Sequence, residues 1–391
     1  MRAPPTLQGQ RQTWSPPVPK VAATLGWGLL FLQQRGMSRL EAETCHESAN
    51  SIVPHSAKDA PAGPLQPRRQ RDAEERPLNI LSLDGGGIKG RNQMVMIEEL
   101  EAATGRSVAH QFDLIGGTSI GGCGALFIAH FSDAATAKAR VAMSELQHRC
   151  FASTSKRRLL VDGHFCSDQR RAFMMDCVGP RKLSVHSPGA PKAFALASCR
   201  GKRGLEPFLL RTYPHRRAVL AGTHRAKLSQ AVEATSAAPF MFPRARLGGT
   251  VLADGGMIAN DPTLVALQEA SALWPGRTVG LVVSLGTGET GGVDRFDGDG
   301  ASIEDWAPEG GGREGADARR EILRLEKVER AVHARGGRYF RFQPPVTGVS
   351  PIEVDESRLS RMEAASREYF KSCRATTALC QLLSKDLPRG R

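Results

Sequence analysis

Apolar residues begin to recur in ordered blocks at Pro77. Asn79–Leu83 is a short apolar run of strand type, broken at once by Asp84-Gly-Gly-Gly-Ile-Lys-Gly90. Met94, Ile97 and Leu100 then recur every three residues, which places them on one helix face. A second short run, Phe112–Ile115, leads into Gly116–Gly122 and an Ala-rich apolar helix ending near Phe131. Strand, glycine turn and helix, twice over, is the pattern of a parallel α/β sheet. Further strands are expected at Lys192–Ser198, Val251–Ala253 and Thr278–Leu285, with a helix over Pro262–Leu273 between the last two. Arg319–Ala334 and Leu359–Ser384 read as closing helices, and no internal repeat is present.

Three divisions follow: residues 1–76 as an extension and linker, 77–345 as the main domain, and 346–391 as a helical extension packing on it. The first forty residues hold five basic side chains and no acid, which fits either an organellar transit peptide or a Pro-rich disordered extension. The apolar run Val21–Leu32 would be about 18 Å long as a helix, too short for a bilayer core of about 30 Å. Glu41–Arg76, rich in Pro, Ser, Ala and charge, reads as linker, and residues 288–317, with nine acids against two bases, as a solvated loop. The expectation is an intracellular protein, cytoplasmic or organellar, that touches membranes only peripherally.

Charge changes this picture at one place. The 391 residues carry a net charge of +13, and residues 131–230 alone hold 19 Lys and Arg against 6 Asp and Glu. Such an excess suits nucleic acid, an anionic membrane or an acidic substrate. Nucleic acid is disfavoured: the chain has three tyrosines, and the basic stretch lacks interleaved aromatics or a helix-turn-helix or zinc-finger pattern. The hydrophobic share of 40% and the 41 glycines exclude a wholly disordered or collagen-like chain. Eight scattered cysteines without a C-x-x-C pair read as free thiols, and no metal or other cofactor is expected.

The chemistry sits in three glycine-flanked positions. Gly117-Thr-Ser119-Ile-Gly121 is a G-x-S-x-G between a strand and a helix, which exposes a serine hydroxyl at the helix N-terminus. There the Ile120 amide and the helix dipole favour an oxyanion. Gly85, Gly86, Gly87 and Gly90 formally match a dinucleotide fingerprint, but no strand-end acid follows at the required distance: Glu99 and Glu101 lie inside the helix pattern. A tight turn is the plain reading. The serine turn one unit later favours bare amides turned toward a developing negative charge. Asp254, before Gly255 and Gly256 at a strand end, is an acid able to approach the serine, although Asp-Gly-Gly alone is an ordinary turn. A Ser–Asp–His hydrolase would use Ser119, Asp254 and His333 in that order, but His333 lies in a Glu/Arg-rich amphipathic helix.

Together these residues resemble the patatin-like phospholipases. DGGGIKG at 84–90, GTSIG at 117–121 and DGG at 254–256 carry the likeness. SAAPFMFP at 236–243, NDP at 260–262, LWP…VVSLGTG at 273–288 and YFRF at 339–342 extend it toward the calcium-independent phospholipase A2 branch. The resemblance implies a three-layer α/β/α sandwich with a mostly parallel sheet. It also implies a Ser119–Asp254 dyad without histidine, an oxyanion hole at Gly85, Gly86 and Gly87, and a phospholipid or glycerolipid ester as substrate. Asp261 stands where relatives often carry a second Asn, and is expected to lie outside the dyad. The basic stretch would then surround the site's mouth, with Lys156–Arg158, Arg170–Arg171, Arg200–Arg203 and Arg216–Arg217 docking on anionic lipid. A catalytically silent lipid-binding protein is the alternative of another class.

Overall fold

The structure, a computed structural model, describes residues 76–146, 148–149, 167–185, 189–201, 204–239, 241–290, 326–334, 336–346 and 348–385, all within one compact unit. The extension up to residue 75, the Lys156–Arg158 cluster, Lys202–Arg203, residues 291–325 of the acid-rich loop and following helix, and Cys45, Cys150 and Cys166 lie outside the described residues.

Short apolar runs became strands because each has something to bury on both faces. β1 (Leu78–Leu83) turns Leu78 and Ile80 to one side and Leu81 and Leu83 to the other, all essentially inaccessible. β2 (Leu114–Thr118) runs parallel beside it, starting two residues later than the pattern suggested and continuing through Gly116 and Gly117. β3 (Lys192–Gly201) follows in parallel, β8 (Val279–Leu285) and β10 (Arg338–Phe342) extend the sheet on the far side of β1, and the parallel order is β10-β8-β1-β2-β3. Beyond β3, β4 (Gly204–Arg211) returns antiparallel, β5 (Ala221–Thr223) pairs with β4, and a hairpin of β6 (Ala245–Leu247) and β7 (Thr250–Asp254) joins β3.

Helices cover both faces, giving three layers. On one side lie α1 (Arg91–Thr104), α2 (Ile120–Phe131), α3 (Ala135–Leu146), α4 (Ser167–Val178) and α5 (Leu228–Thr235). On the other lie α6 (Thr263–Leu273) and the helix over residues 326–333, whose Val328 and Val332 are buried. The expected single run Leu359–Ser384 is two helices, α7 (Glu356–Ser372) and α8 (Arg374–Lys385), parted at Cys373, which is extended. One unbroken helix of that length would reach about 40 Å, whereas α1 beneath it is about 21 Å long. The turn keeps Phe370 of α7 and Leu379 and Leu383 of α8 in the same core.

Arg211, counted in the basic stretch, is buried. Its guanidinium grips Glu269 of α6 at 2.5 and 3.0 Å, and the Tyr213 hydroxyl donates to the same carboxylate at 2.9 Å. Both charges are sequestered, so removing one leaves the other uncompensated. Glu269→Ala is expected to cost about 3–5 kcal/mol in urea unfolding. A loss under 1 kcal/mol would show that the pair is solvated.

Candidate active site

Register on one edge of β3 assembles the site. β2 pairs with β3 as far as Thr118 opposite Leu196, and β7, running the other way, begins its pairing with Asp254 opposite Ala197. Two strand ends therefore abut on neighbouring positions of a third strand. The chain turns immediately after Thr118, and the Ser119 hydroxyl donates to Asp254 Oδ2 at 2.7 Å.

The turn itself is strained. Ser119 has φ 53° and ψ −120°, a backbone conformation L residues avoid, and caps α2. It is held there by its neighbours. Its amide donates to Thr235 Oγ1 at 3.0 Å, Thr235 in turn donates to the Leu196 carbonyl, and the Thr118 hydroxyl bonds the Ala259 carbonyl at 2.8 Å. Gly117 and Gly121 let the strand pass against the first turn of α2, where a Cβ on either would collide with backbone. Ile120 opens α2, so its amide has no carbonyl one turn back to bond.

Asp254 is buried, and its two oxygens divide the work. Oδ1 accepts from the Gly256 amide at 2.7 Å, fixing the loop, while Oδ2 faces Ser119. Gly255 lies against the Leu196 carbonyl. Burial pushes the Asp254 carboxyl up to about 6. The Gly256 amide, the Ser119 hydroxyl and the Arg170 guanidinium pull the other way. Cys123, one turn beyond Ser119, is pushed up to about 12 by burial and stays a thiol. His333 is exposed, and among the described residues no imidazole bonds Ser119 or Asp254. No group of three His, Cys, Asp or Glu among them is gathered to hold a metal ion.

The glycine loop forms the opposite wall. Its sequence-based reading as three donors needs correction at Gly85, whose amide is committed to the Asn260 carbonyl at 3.1 Å. The amides of Gly86 and Gly87 have no partner among the described residues, and both glycines are partly open to solvent. Gly87 has φ 59° and sits so close to the Pro351 carbonyl that no side chain fits. Gly90 lies against Ile120, tying loop to elbow.

One further expectation is corrected. Arg170 does not belong to a docking face: it is 2% exposed, donates to the Glu233 carbonyl and Ser236 Oγ at 2.7 and 2.8 Å, and stacks on Phe242 at 4.0 Å. It stands beside Arg171 in a stretch rich in basic residues, so its sequence context is that of a surface cluster. Asp261, as expected, bonds neither Ser119 nor Asp254, yet it is no surface residue. It is buried, accepts from Ser82 Oγ at 3.3 Å and caps Thr263. Thr235 belongs to no motif named above, and the sequence placed Arg170 in a docking cluster and Asn260 in the NDP stretch without showing that either supports the site from within.

A patatin-like phospholipase family model matches residues 81–267. The chain is 24% identical over 373 residues to Phospholipase A I of Arabidopsis thaliana, covering 77% of this chain and 27% of that protein. It is 29% identical over 223 residues to human calcium-independent phospholipase A2-gamma, covering 54% of this chain and 28% of that protein. A cGAMP-activated phospholipase of Pseudomonas aeruginosa is 31% identical over 210 residues, covering 54% of this chain and 62% of that one. The chain thus spans little more than a quarter of the first two relatives.

The strain at Ser119 has a measurable consequence. Ser119→Gly and Ser119→Ala both remove the hydroxyl, but only glycine relaxes at this φ and ψ. The glycine variant is expected to be about 1 kcal/mol more stable than the alanine variant in urea unfolding. Equal stabilities would mean the elbow stores no strain.

Proposed function

We propose, from a chain that belongs to the patatin-like phospholipases through residues 81–267, that the protein hydrolyses fatty-acyl esters of phospholipids or related glycerolipids with a Ser119–Asp254 dyad. The observation that carries this reading is the 2.7 Å bond between a strained, partly buried serine and a buried carboxylate. A serine hydroxyl is a weak nucleophile until a base takes its proton. Asp254 accepts it while Oγ bonds the acyl carbon, and the oxyanion is received by the Gly86 and Gly87 amides. The same proton then passes to the departing alcohol as the ester bond breaks, leaving an acyl-Ser119. Asp254 next deprotonates a water that attacks this acyl carbon. Collapse of the second tetrahedral intermediate returns the proton to Ser119 and releases the fatty acid. A carboxyl poised near 6 is basic enough to take a proton transiently and is ionised at neutral pH.

Docking on anionic lipid rests on the described part of the basic surface. Arg200 of β3 lies three residues beyond the position paired with Asp254, at the end of the sheet where the serine lies. Leu252 pairs with Cys199 and Arg246 with Val251, so the β3–β7 register, continued by one residue, sets Arg200, Val251 and Arg246 in one cross-strand row. The two exposed guanidinium side chains are two strand spacings apart, about 10 Å. Arg216 and Arg217 are also exposed.

Three measurements bear on this. A fluorophosphonate should label the wild type and not Ser119→Ala, and lipid hydrolysis should fall roughly 10³-fold or more in Ser119→Ala and Asp254→Asn. His333→Ala should leave turnover unchanged, and a large loss there would restore the triad. Because the Asp254 proton is held more tightly than in a free carboxyl, kcat/KM should climb about tenfold per unit as pH rises toward about 6, then level off. A flat profile between pH 4.5 and 7, a range bracketing that value, would exclude Asp254 as base.

For docking, Arg200→Glu/Arg246→Glu should weaken binding to anionic vesicles by about tenfold or more at low salt, with no difference on neutral vesicles.

A further inference from the structure

The family match ends at residue 267, yet the glycine loop is anchored by a residue far beyond it. Arg341, on β10, is partly buried and points its guanidinium at the start of that loop. Its Nη1 and Nη2 meet the two oxygens of Asp84 at 2.8 and 2.5 Å. Nη1 also donates to Ser284 Oγ at 2.7 Å, Nη2 to Gln343 Oε1 at 3.2 Å, and Asp261 Oδ2 lies 3.8 Å from Nη1.

Those two carboxylates belong to the two loops that make the site. Asp84 immediately precedes Gly85–Gly87. Asp261 follows Asn260, whose carbonyl holds the Gly85 amide and whose side chain bonds the Gly85 carbonyl at 3.4 Å. Asp84 and Asp261 are 3% and 6% exposed, so each needs a compensating charge, and the same guanidinium faces both. A planar fork can satisfy Asp84 bidentately while one nitrogen turns to Ser284 and toward Asp261; a lysine ammonium cannot hold that geometry. Other bonds on the loop include those from Gln93 to the Asp84 carbonyl at 3.0 Å, from Thr287 to the Gly85 carbonyl at 3.0 Å and from the Ile88 amide to the Pro351 carbonyl at 2.8 Å. They fix its backbone but bring no charge.

We propose that Arg341 is a positioning residue for the oxyanion loop: by clamping Asp84 and facing Asp261, it sets the aim of the Gly86 and Gly87 amides relative to Ser119. This rests on the hydrolase reading above, and it names a residue outside the matched region as part of that machinery. Arg341 touches neither Ser119 nor Asp254, so its loss should leave the base untouched and impair the stabilisation of charge.

The experiment uses the full chain and two variants, Arg341→Lys and Arg341→Gln, with melting temperature recorded for each. Expected for Arg341→Lys is a kcat lowered about 10- to 100-fold with KM within about twofold. Fluorophosphonate labelling should slow in parallel, and the pH profile should keep its acid limb near 6. Hydrogen exchange should quicken in the peptide covering residues 84–90 and stay unchanged in the one covering 120–131. Arg341→Gln should show the same pattern more strongly. Wild-type kcat in Arg341→Lys together with unchanged exchange at 84–90 overturns the proposal, as does a displaced acid limb, which would place Arg341 in the field of the base instead. If the wild type neither labels nor hydrolyses lipid esters, the hydrolase reading fails, and the exchange at 84–90 alone then decides whether Arg341 positions the loop.

Discussion

Ser119 and Asp254 are 135 residues apart, and backbone hydrogen bonding joins them. β2 and β7 share one edge of β3, entering from opposite directions and ending on adjacent residues, Leu196 and Ala197. A strand's side-chain period is two, so a slip of one residue in the β7 pairing would send Asp254 to the other face of the sheet, and a slip in the β2 pairing would carry the turn at Ser119 away from it. The pairing therefore has to be held rigidly. β3 is the longest strand among the described residues, Lys192–Gly201, and its Phe194, Ala195, Leu196 and Ala197 are wholly inaccessible. The geometry of the Ser119–Asp254 hydrogen bond is inherited from the stiffness of that strand.

Each part of the site is unfavourable taken alone. Ser119 occupies a backbone region that costs about 1–3 kcal/mol for a residue with a side chain. Asp254, raised from 3.8 to about 6, is a charge the interior resists by about 3 kcal/mol at neutral pH. Arg170 softens the second cost from within. It is fixed by Glu233 and Ser236, beside the Ala237 carbonyl that receives the Asp254 amide, so part of the basic stretch acts inside the protein. Costs of this size are comparable with the whole stability of an ordinary domain, and a core on both faces of the sheet offsets them.

What could be read from the sequence was whatever depends on local backbone demands. Glycines around Ser119 and before Ile88 announce turns that only glycine makes, and Met94, Ile97 and Leu100 announce the buried face of α1. Beyond the Ser119–Asp254 pair, which the resemblance implied, three-dimensional partnership was illegible. Nothing near Gly85 reveals that its amide faces the Asn260 carbonyl, and nothing near Arg170 separates it from a surface arginine. Asp261 follows Asn260 like any loop residue, although it is buried beneath the glycine loop. The break at Cys373 carries no proline or glycine; it follows from the length of the helix it must cover.

The C-terminal third illustrates the same limit from the other side. The Ile88 amide donates to the Pro351 carbonyl at 2.8 Å, and Ser366 of α7 donates to Asn92, which in turn holds the Thr287 carbonyl. Arg91, at the start of α1, is paired with Glu356 and Glu363 of α7. Thr287 itself bonds the Gly85 carbonyl, so a continuous set of hydrogen bonds runs from α7 to the glycine loop. In the proposed reaction, a loop whose amides meet a developing charge gains from being fixed beforehand, because reorganisation during the reaction would weaken the interaction. The glycines make the loop's conformation possible, but they also leave it free to adopt others. Its confinement has to come from neighbours, and here those neighbours are Asn260, Thr287, Arg341 and Pro351, three of the four beyond the matched region.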